Sequence, residues 1–141
     1  MFRLDTTTTF GTHVAKRLEY DTIIWLVTVG SDGTPQPSPV WFVWNGESFL
    51  IYSEPGKPKL HNIIMNPHVA LHLESDGQGG DIVVFTGRAW IDAKGPTDEE
   101  ERAYRSKYAE SLERLGMSYD EMRRSYSVVI RVTPERLRGW N

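Results

Sequence analysis

The chain has 141 residues and a formal net charge of −3, a size that fits one domain (1–141) able to bury most of its apolar surface. The mildly acidic balance argues against non-specific nucleic-acid binding, which requires many phosphates to be neutralised, so any anion site must be local. With no cysteine, no apolar stretch near ~18 residues and no apolar signal core in MFRLDTTTTF, the expectation is a cytoplasmic protein without disulfides, thiolate metal sites or a membrane partner.

In chain order, TFGTHVAKRLE (9–19) predicts a short helix capped near Thr8 or Thr9, with Val14 and Leu18 on one face. IIWLVTVG (23–30) reads as a strand ended by the turn SDGT, and SPVWFVW (38–44) as a second. Asn45-Gly46 is a hairpin signal of the I′ type, which makes ESFLIYSE (47–54) the antiparallel return. Pro58 opens a short helix carrying Leu60, Ile63 and Ile64, and Asn66-Pro67 ends it. HVALHLES (68–75) and DIVVFTGRAWID (81–92) are strands, the second with a bulge or bend at Gly87. Thr97 caps a helix running to about Leu115, with Tyr104, Tyr108 and Leu112 as its stripe and Gly116 beyond its end. A short helix near 118–125 and a last strand at 127–134 complete the chain. About six antiparallel strands joined mostly by hairpins favour a closed or partly closed barrel, because closure removes exposed edges.

Few residues offer chemistry. His68 and His72 share a strand face roughly 13 Å apart at ~3.3 Å per residue, too far for one metal ion. No serine motif with a base is present, and the glutamates at 99–101 and 110–113 read as solvated helix charge. Lys57 and Lys59 stand at the start of the 58–65 helix, where free N–H groups and the helix dipole favour an anion, and Ser53 ends the strand before them. Spacing alone leaves two readings of that pair, an anion seat or solvated lysines beside a turn. Trp41 and Trp44, an odd number apart, point to opposite strand faces, one into the barrel and the other to an edge, cleft or interface.

GTPQPSPVWFVWNG (33–46), FLIYS (49–53), KLHNIIMNPHVAL (59–71) and TGRA (86–89), in that order, resemble the pyridoxamine 5′-phosphate oxidase-like flavin-binding split β-barrel family. The resemblance spans about residues 10–135 and is nearest to its flavin- and deazaflavin-dependent oxidoreductase branch. It implies a mainly β fold, a six-stranded antiparallel split barrel, forming a homodimer with F420 or FMN at the subunit interface. It also implies hydride transfer to a small organic substrate, or a non-catalytic flavin- or haem-binding barrel. By the same resemblance Lys59 binds the cofactor phosphate, helped by Ser53 and Lys57, and Asn62 stabilises the loop or reaches the cofactor. Pro39, Val40 and Trp41 lie along the ring, Ile51 and Tyr52 flank the ribityl chain, and Arg88 and Trp140 contact the interface or cofactor. The chain ends ERLRGWN, without the arginine–histidine motif of true pyridoxamine phosphate oxidases, which argues against that activity.

Overall fold

The computed structural model describes residues 2–141. Seven antiparallel strands form one sheet in the order β2-β1-β5-β6-β7-β4-β3. They are β1 (Ile24–Val29), β2 (Pro35–Val40), β3 (Val43–Trp44), β4 (Phe49–Ser53), β5 (His68–His72), β6 (Ile82–Ile91) and β7 (Val128–Trp140). The sheet curls into a barrel that stays split, since its end strands β2 and β3 are not paired. Four helices occupy the connections: α1 (Thr9–Tyr20), α2 (Pro58–Met65), α3 (Asp98–Arg114) and α4 (Tyr119–Ser125). Among the described residues no helix is long and apolar enough to cross a membrane.

The split barrel is as expected, but the strand expected over 38–44 is two strands, which raises the count from six to seven. The chain leaves β2 at Val40 and enters β3 at Val43, at opposite ends of the sheet order. The break frees the backbone of Phe42, and α3 supplies its partners. The Tyr108 hydroxyl accepts from the Phe42 N–H (2.8 Å), and the Lys107 ammonium donates to the Phe42 carbonyl (3.2 Å).

The hairpin after β3 also differs in detail. Only Gly46 has positive φ (97°), and the Asn45 N–H bonds the Ser48 carbonyl, so glycine is first in the turn as in a II′ hairpin. Gly87 sits at a register shift between β6 and β7, where a Cβ would lie 2.2 Å from the Thr133 carbonyl. Pro134 is accommodated at that same bulge, which lets β7 run past the predicted stop to Trp140.

Two apolar clusters lie on either side of β4, every residue of which is buried. Phe49 and Ile51 face the barrel interior with Phe42, Phe85 and Ile130. Leu50 and Tyr52 face the outside, where Tyr104, Tyr108 and Leu112 of α3 and Met122 of α4 cover them. Trp44 packs on the first cluster and Trp41 on the second, but Trp41 lies in the break between β2 and β3, so strand alternation does not set their orientation.

The helix caps position this outer layer. Thr97 and Glu100 form a capping box at α3, and Ser118 with Glu121 forms another at α4. Glu100 departs from the solvated helix surface expected of it: it is buried and bonded to both terminal nitrogens of the Arg131 guanidinium, while Asp92 takes the Nε–H. Burial pushes the Glu100 carboxyl up, but the Arg131 bonds and the Thr97 N–H outweigh it and hold it below its usual value.

Candidate functional site

A cleft of about 760 Å³ opens between the β2–β3 break, the end of β4, the start of α2 and the α3–α4 pair. β4 brings Tyr52 and Ser53 to its wall, and the following loop carries Glu54 and Lys57. Lys59 enters from the first turn of α2. Pro39, Val40 and Trp41 line the side made by the strand break, and Trp41 is stacked on Tyr108 with ring centroids 4.4 Å apart.

The cation end has a specific local cause. Thr8, Thr97 and Ser118 cap α1, α3 and α4 with their hydroxyls, but Lys57 caps α2 with no side-chain bond. Pro58 presets the first turn at a position where its missing N–H loses nothing. Pro58 has no N–H and the Leu60 N–H bonds the Lys57 carbonyl (3.0 Å), so in the first turn only the Lys59 N–H and the positive dipole end of α2 are left without a cap. Lys57 is 3.8 Å from Glu54 in a pair exposed on both sides. Lys59 is half-buried and has neither a hydrogen bond nor an ion pair among the described residues. Burial first, and the like charge of Lys57 second, push its ammonium pKa down, while Glu54 pulls the other way. A bound anion would relieve both penalties. Ser53 is buried and donates its hydroxyl to the Glu54 carbonyl (2.8 Å), a bond it would have to exchange in order to donate to a phosphate.

The opposite end is aromatic and apolar. The Tyr52 and Tyr119 hydroxyls bond each other at 2.8 Å, and the Arg123 guanidinium lies 4.0 Å from the centre of the Tyr52 ring. Burial pushes the pKa values of Tyr52 and Tyr104 above the ordinary phenol range, so both rings stay neutral.

Seven of the residues singled out in the sequence thus meet on one cleft: Pro39, Val40, Trp41, Tyr52, Ser53, Lys57 and Lys59. Three do not. Ile51 points into the barrel core, the side of β4 away from the cleft, because strand alternation opposes it to Tyr52. Asn62 is buried and ties α2 to the sheet, donating to the Thr28 hydroxyl (3.0 Å) and the Gln36 side-chain carbonyl (2.8 Å). Arg88 is exposed on β6 and pairs with Glu135 (3.4 Å), and Trp140 is exposed at the end of β7. A second hollow, of about 550 Å³ between residues 2–11 and 135–137, holds none of these residues. Among the described residues no cluster of histidine, aspartate or glutamate is arranged to hold a metal, and His72 stacks on Trp25 instead.

A match over residues 10–141 to the model of the pyridoxamine 5′-phosphate oxidase family decides the lineage. The chain belongs to that family. Among solved structures it is similar to a putative pyridoxamine 5′-phosphate oxidase from Listeria innocua, with 23% identity, a TM-score of 0.66, and 90% of this chain and 94% of that one covered. An F420 reductase is 25% identical, with a TM-score of 0.66 and coverage of 87% and 94%. HutZ, a haem storage protein from Vibrio cholerae, is 20% identical, with a TM-score of 0.63 and coverage of 98% and 95%. No curated protein matches the chain.

In this member of the pyridoxamine 5′-phosphate oxidase family, the cleft also uses residues that sequence reasoning missed. Leu112, Leu115, Met117, Met122 and Tyr126 come from the α3–α4 region, and Ile23 from the residue before β1. The one signal available was the Tyr104–Tyr108–Leu112 stripe, which marks a buried helix face without saying what lies beyond it.

Proposed function

We propose that the protein is an oxidoreductase that uses F420 or FMN, with the cofactor phosphate at the α2 end of the cleft and its ring along Pro39–Trp41. The carrying observation is Lys59, a half-buried cation without a partner among the described residues, which shares the cleft lining with Ser53 and stands in the first turn of a helix with no side-chain cap. The residues present fit such a group: a cation end for phosphate, a stacked indole wall for a flat ring, and roughly the volume of a small-molecule site. Family membership and the likeness to an F420 reductase support the same reading. When bound, the cofactor would supply hydride chemistry, while the chain supplies position, a neutral wall and exclusion of water. A homodimer completes this proposal, and exposed Ile64 and Met65 on the helix that carries Lys59 offer apolar surface for a second copy to cover.

Parallel titration of the purified protein with FMN and F420, followed by visible absorbance, tests the cofactor. Lys59→Ala is expected to weaken the preferred cofactor roughly ten- to a hundred-fold, the equivalent of about 1.5–3 kcal/mol for one charge-assisted hydrogen bond. Its urea midpoint should stay at the wild-type value. An unchanged dissociation constant would overturn the phosphate assignment. Reoxidation of the bound, reduced cofactor by added acceptors then separates an enzyme from a non-catalytic binding barrel.

A further inference from the structure

The chain has five lysines, and the fold gives them different settings. Lys16 and Lys94 are exposed, one on α1 and the other in the turn after β6, and neither lines the cleft. Lys57 lines it but is exposed and paired with Glu54 at 3.8 Å. Lys107 donates to the Leu18 and Phe42 carbonyls and lies 3.6 Å from the centre of the Phe42 ring. Lys59 alone is half-buried, lines the cleft and makes no hydrogen bond or ion pair among the described residues. An amine so placed is a nucleophile as well as a cation. Only the unprotonated nitrogen has a lone pair to give, and burial beside another cation enlarges that fraction. Both act on Lys59, burial more than Lys57, with Glu54 opposing them. Low basicity does not by itself select it, because burial pushes the Lys107 pKa down too, to about 8. Access does. The Lys107 nitrogen is enclosed between α3 and the barrel, whereas Lys59 opens on a cavity of small-molecule size. Lys57, two residues away on the same lining, is close enough for its charge to be felt at Lys59. Its exposed pair with Glu54 contributes little and can be exchanged for a phosphate.

We propose that Lys59 is a modification site, acylated by small acyl phosphates whose phosphate Lys57 holds, and that its acylation controls entry of the cofactor. The site itself stands on the lysine geometry, while the control of entry rests on the cofactor reading above. In the step, the Lys59 Nζ lone pair attacks the acyl carbon and an N–C bond forms. The bond from that carbon to the phosphate oxygen breaks, its electron pair leaves with inorganic phosphate, and one proton passes from the nitrogen to water. Holding the phosphate at Lys57 turns an encounter in solution into a reaction between neighbours. The amide that results is uncharged, so the cation assigned to the cofactor phosphate is lost. A bound cofactor would in turn cover the amine, so the reaction marks the empty protein.

The test incubates the full chain, without added cofactor, with acetyl phosphate and follows acetylation of all five lysines by peptide mass spectrometry. Lys59 should react about fivefold faster than Lys16 and Lys94, or more, and inorganic phosphate should slow it. Acetic anhydride, which has no phosphate to anchor, should show a smaller preference for Lys59. Lys57→Gln should slow Lys59 about threefold or more and leave Lys16 and Lys94 unchanged. Saturation with whichever of FMN or F420 binds should slow Lys59 about tenfold or more, and the acetylated protein should bind that cofactor about tenfold more weakly or worse. In Lys59→Arg, acetyl phosphate treatment should leave cofactor affinity at its value before treatment. A Lys59 rate no greater than that of Lys16 and Lys94, an equal preference with acetic anhydride, or a rate unmoved by Lys57→Gln would overturn the modification site while leaving the cofactor assignment standing. A protein that binds FMN or F420, yet is acetylated at Lys59 as fast as when empty, would overturn the phosphate assignment and the control of entry and leave the modification site standing. Failure to bind both cofactors would overturn the cofactor reading, and the control of entry with it.

Discussion

The two faces of β4 are both buried, yet they are built from different chemistry. Phe49 and Ile51 enter an interior of aliphatic and phenylalanine side chains, with Phe49 edge-on to Phe85 at 5.2 Å. Leu50 and Tyr52 meet three further tyrosines and a tryptophan, with Tyr52 and Tyr104 centred 4.6 Å apart. The inner face has few polar side-chain groups to satisfy and is held by burial alone. The outer face must place hydroxyls as well as rings, and Tyr52, Tyr108 and Tyr119 place theirs on one another or on the backbone of the strand break. Stability and the site are therefore separable: the inner face maintains the barrel, and the outer face maintains the cleft.

The largest effect is expected on the inner side. Phe49→Ala should lower the unfolding free energy by about 3–5 kcal/mol through lost burial and the cavity left behind. Cofactor affinity, measured on the fraction that remains folded, should stay within about twofold. A fall in affinity that tracks the fall in stability would break the division between the faces.

Glu100→Ala comes next, at about 3 kcal/mol. It leaves the buried Arg131 with Asp92 as its remaining carboxylate partner. The sign with pH follows from the lowered Glu100 pKa. Its stabilisation is complete above the unfolded value of 4.5 and is lost as pH falls through the lower folded value. Urea denaturation of wild type at descending pH should show a loss that Glu100→Ala no longer has to give.

Legibility in the sequence follows the same boundary. The inner face was readable because β-branched and aromatic runs with turn residues between them state their own geometry: the strands, the hairpin at Gly46 and the bulge at Gly87 all follow from near neighbours. The lysine pair and Ser53 were readable for the same reason, since a short connection brings them together. What escaped depends on contacts far along the chain. The break at Trp41–Phe42 carries no local breaker and exists because Tyr108 and Lys107, more than sixty residues on, satisfy Phe42. Glu100 read as solvated helix charge, because its partner is an arginine on β7. Leu115, Met117 and Met122 follow or belong to a charged helical stretch, and only its packing on β4 and β7 shows that they face a cleft. Strand parity places Ile51 away from the cleft, a constraint that resemblance to a family does not by itself enforce.

A smaller effect should distinguish structural support from site support on the outer face. Tyr108→Phe removes one oxygen. The buried Phe42 N–H loses its acceptor and the Thr22 carbonyl loses a donor, a cost of about 1–3 kcal/mol. Because Tyr108 also underlies Trp41, the loosened break should weaken cofactor binding several-fold, in contrast to Phe49→Ala. Unchanged affinity in Tyr108→Phe would mean that stacking alone holds the cleft wall, without the hydroxyl.

The smallest effect concerns Lys107, which holds α3 to the barrel from the same side. Its ammonium donates to the Leu18 and Phe42 carbonyls and sits 3.6 Å from the centre of the Phe42 ring. Burial pushes its pKa down to about 8, with Asp21 opposing, from a usual value of 10.5. Between those values the unfolded chain binds a proton that the native chain releases, so this lysine adds stability as pH rises from 8 towards 10. Tyrosines with raised pKa values act in the opposite sense above about pH 10, where unfolded phenols ionise, so the informative window is pH 7.5–9.5. Wild type should gain stability relative to Lys107→Met across that window. If the difference stays flat, the two carbonyls and the ring hold the cation against desolvation, and the anchor of α3 does not respond to pH. The first result would couple the cleft wall to alkaline pH through α3 and its contact with Phe42.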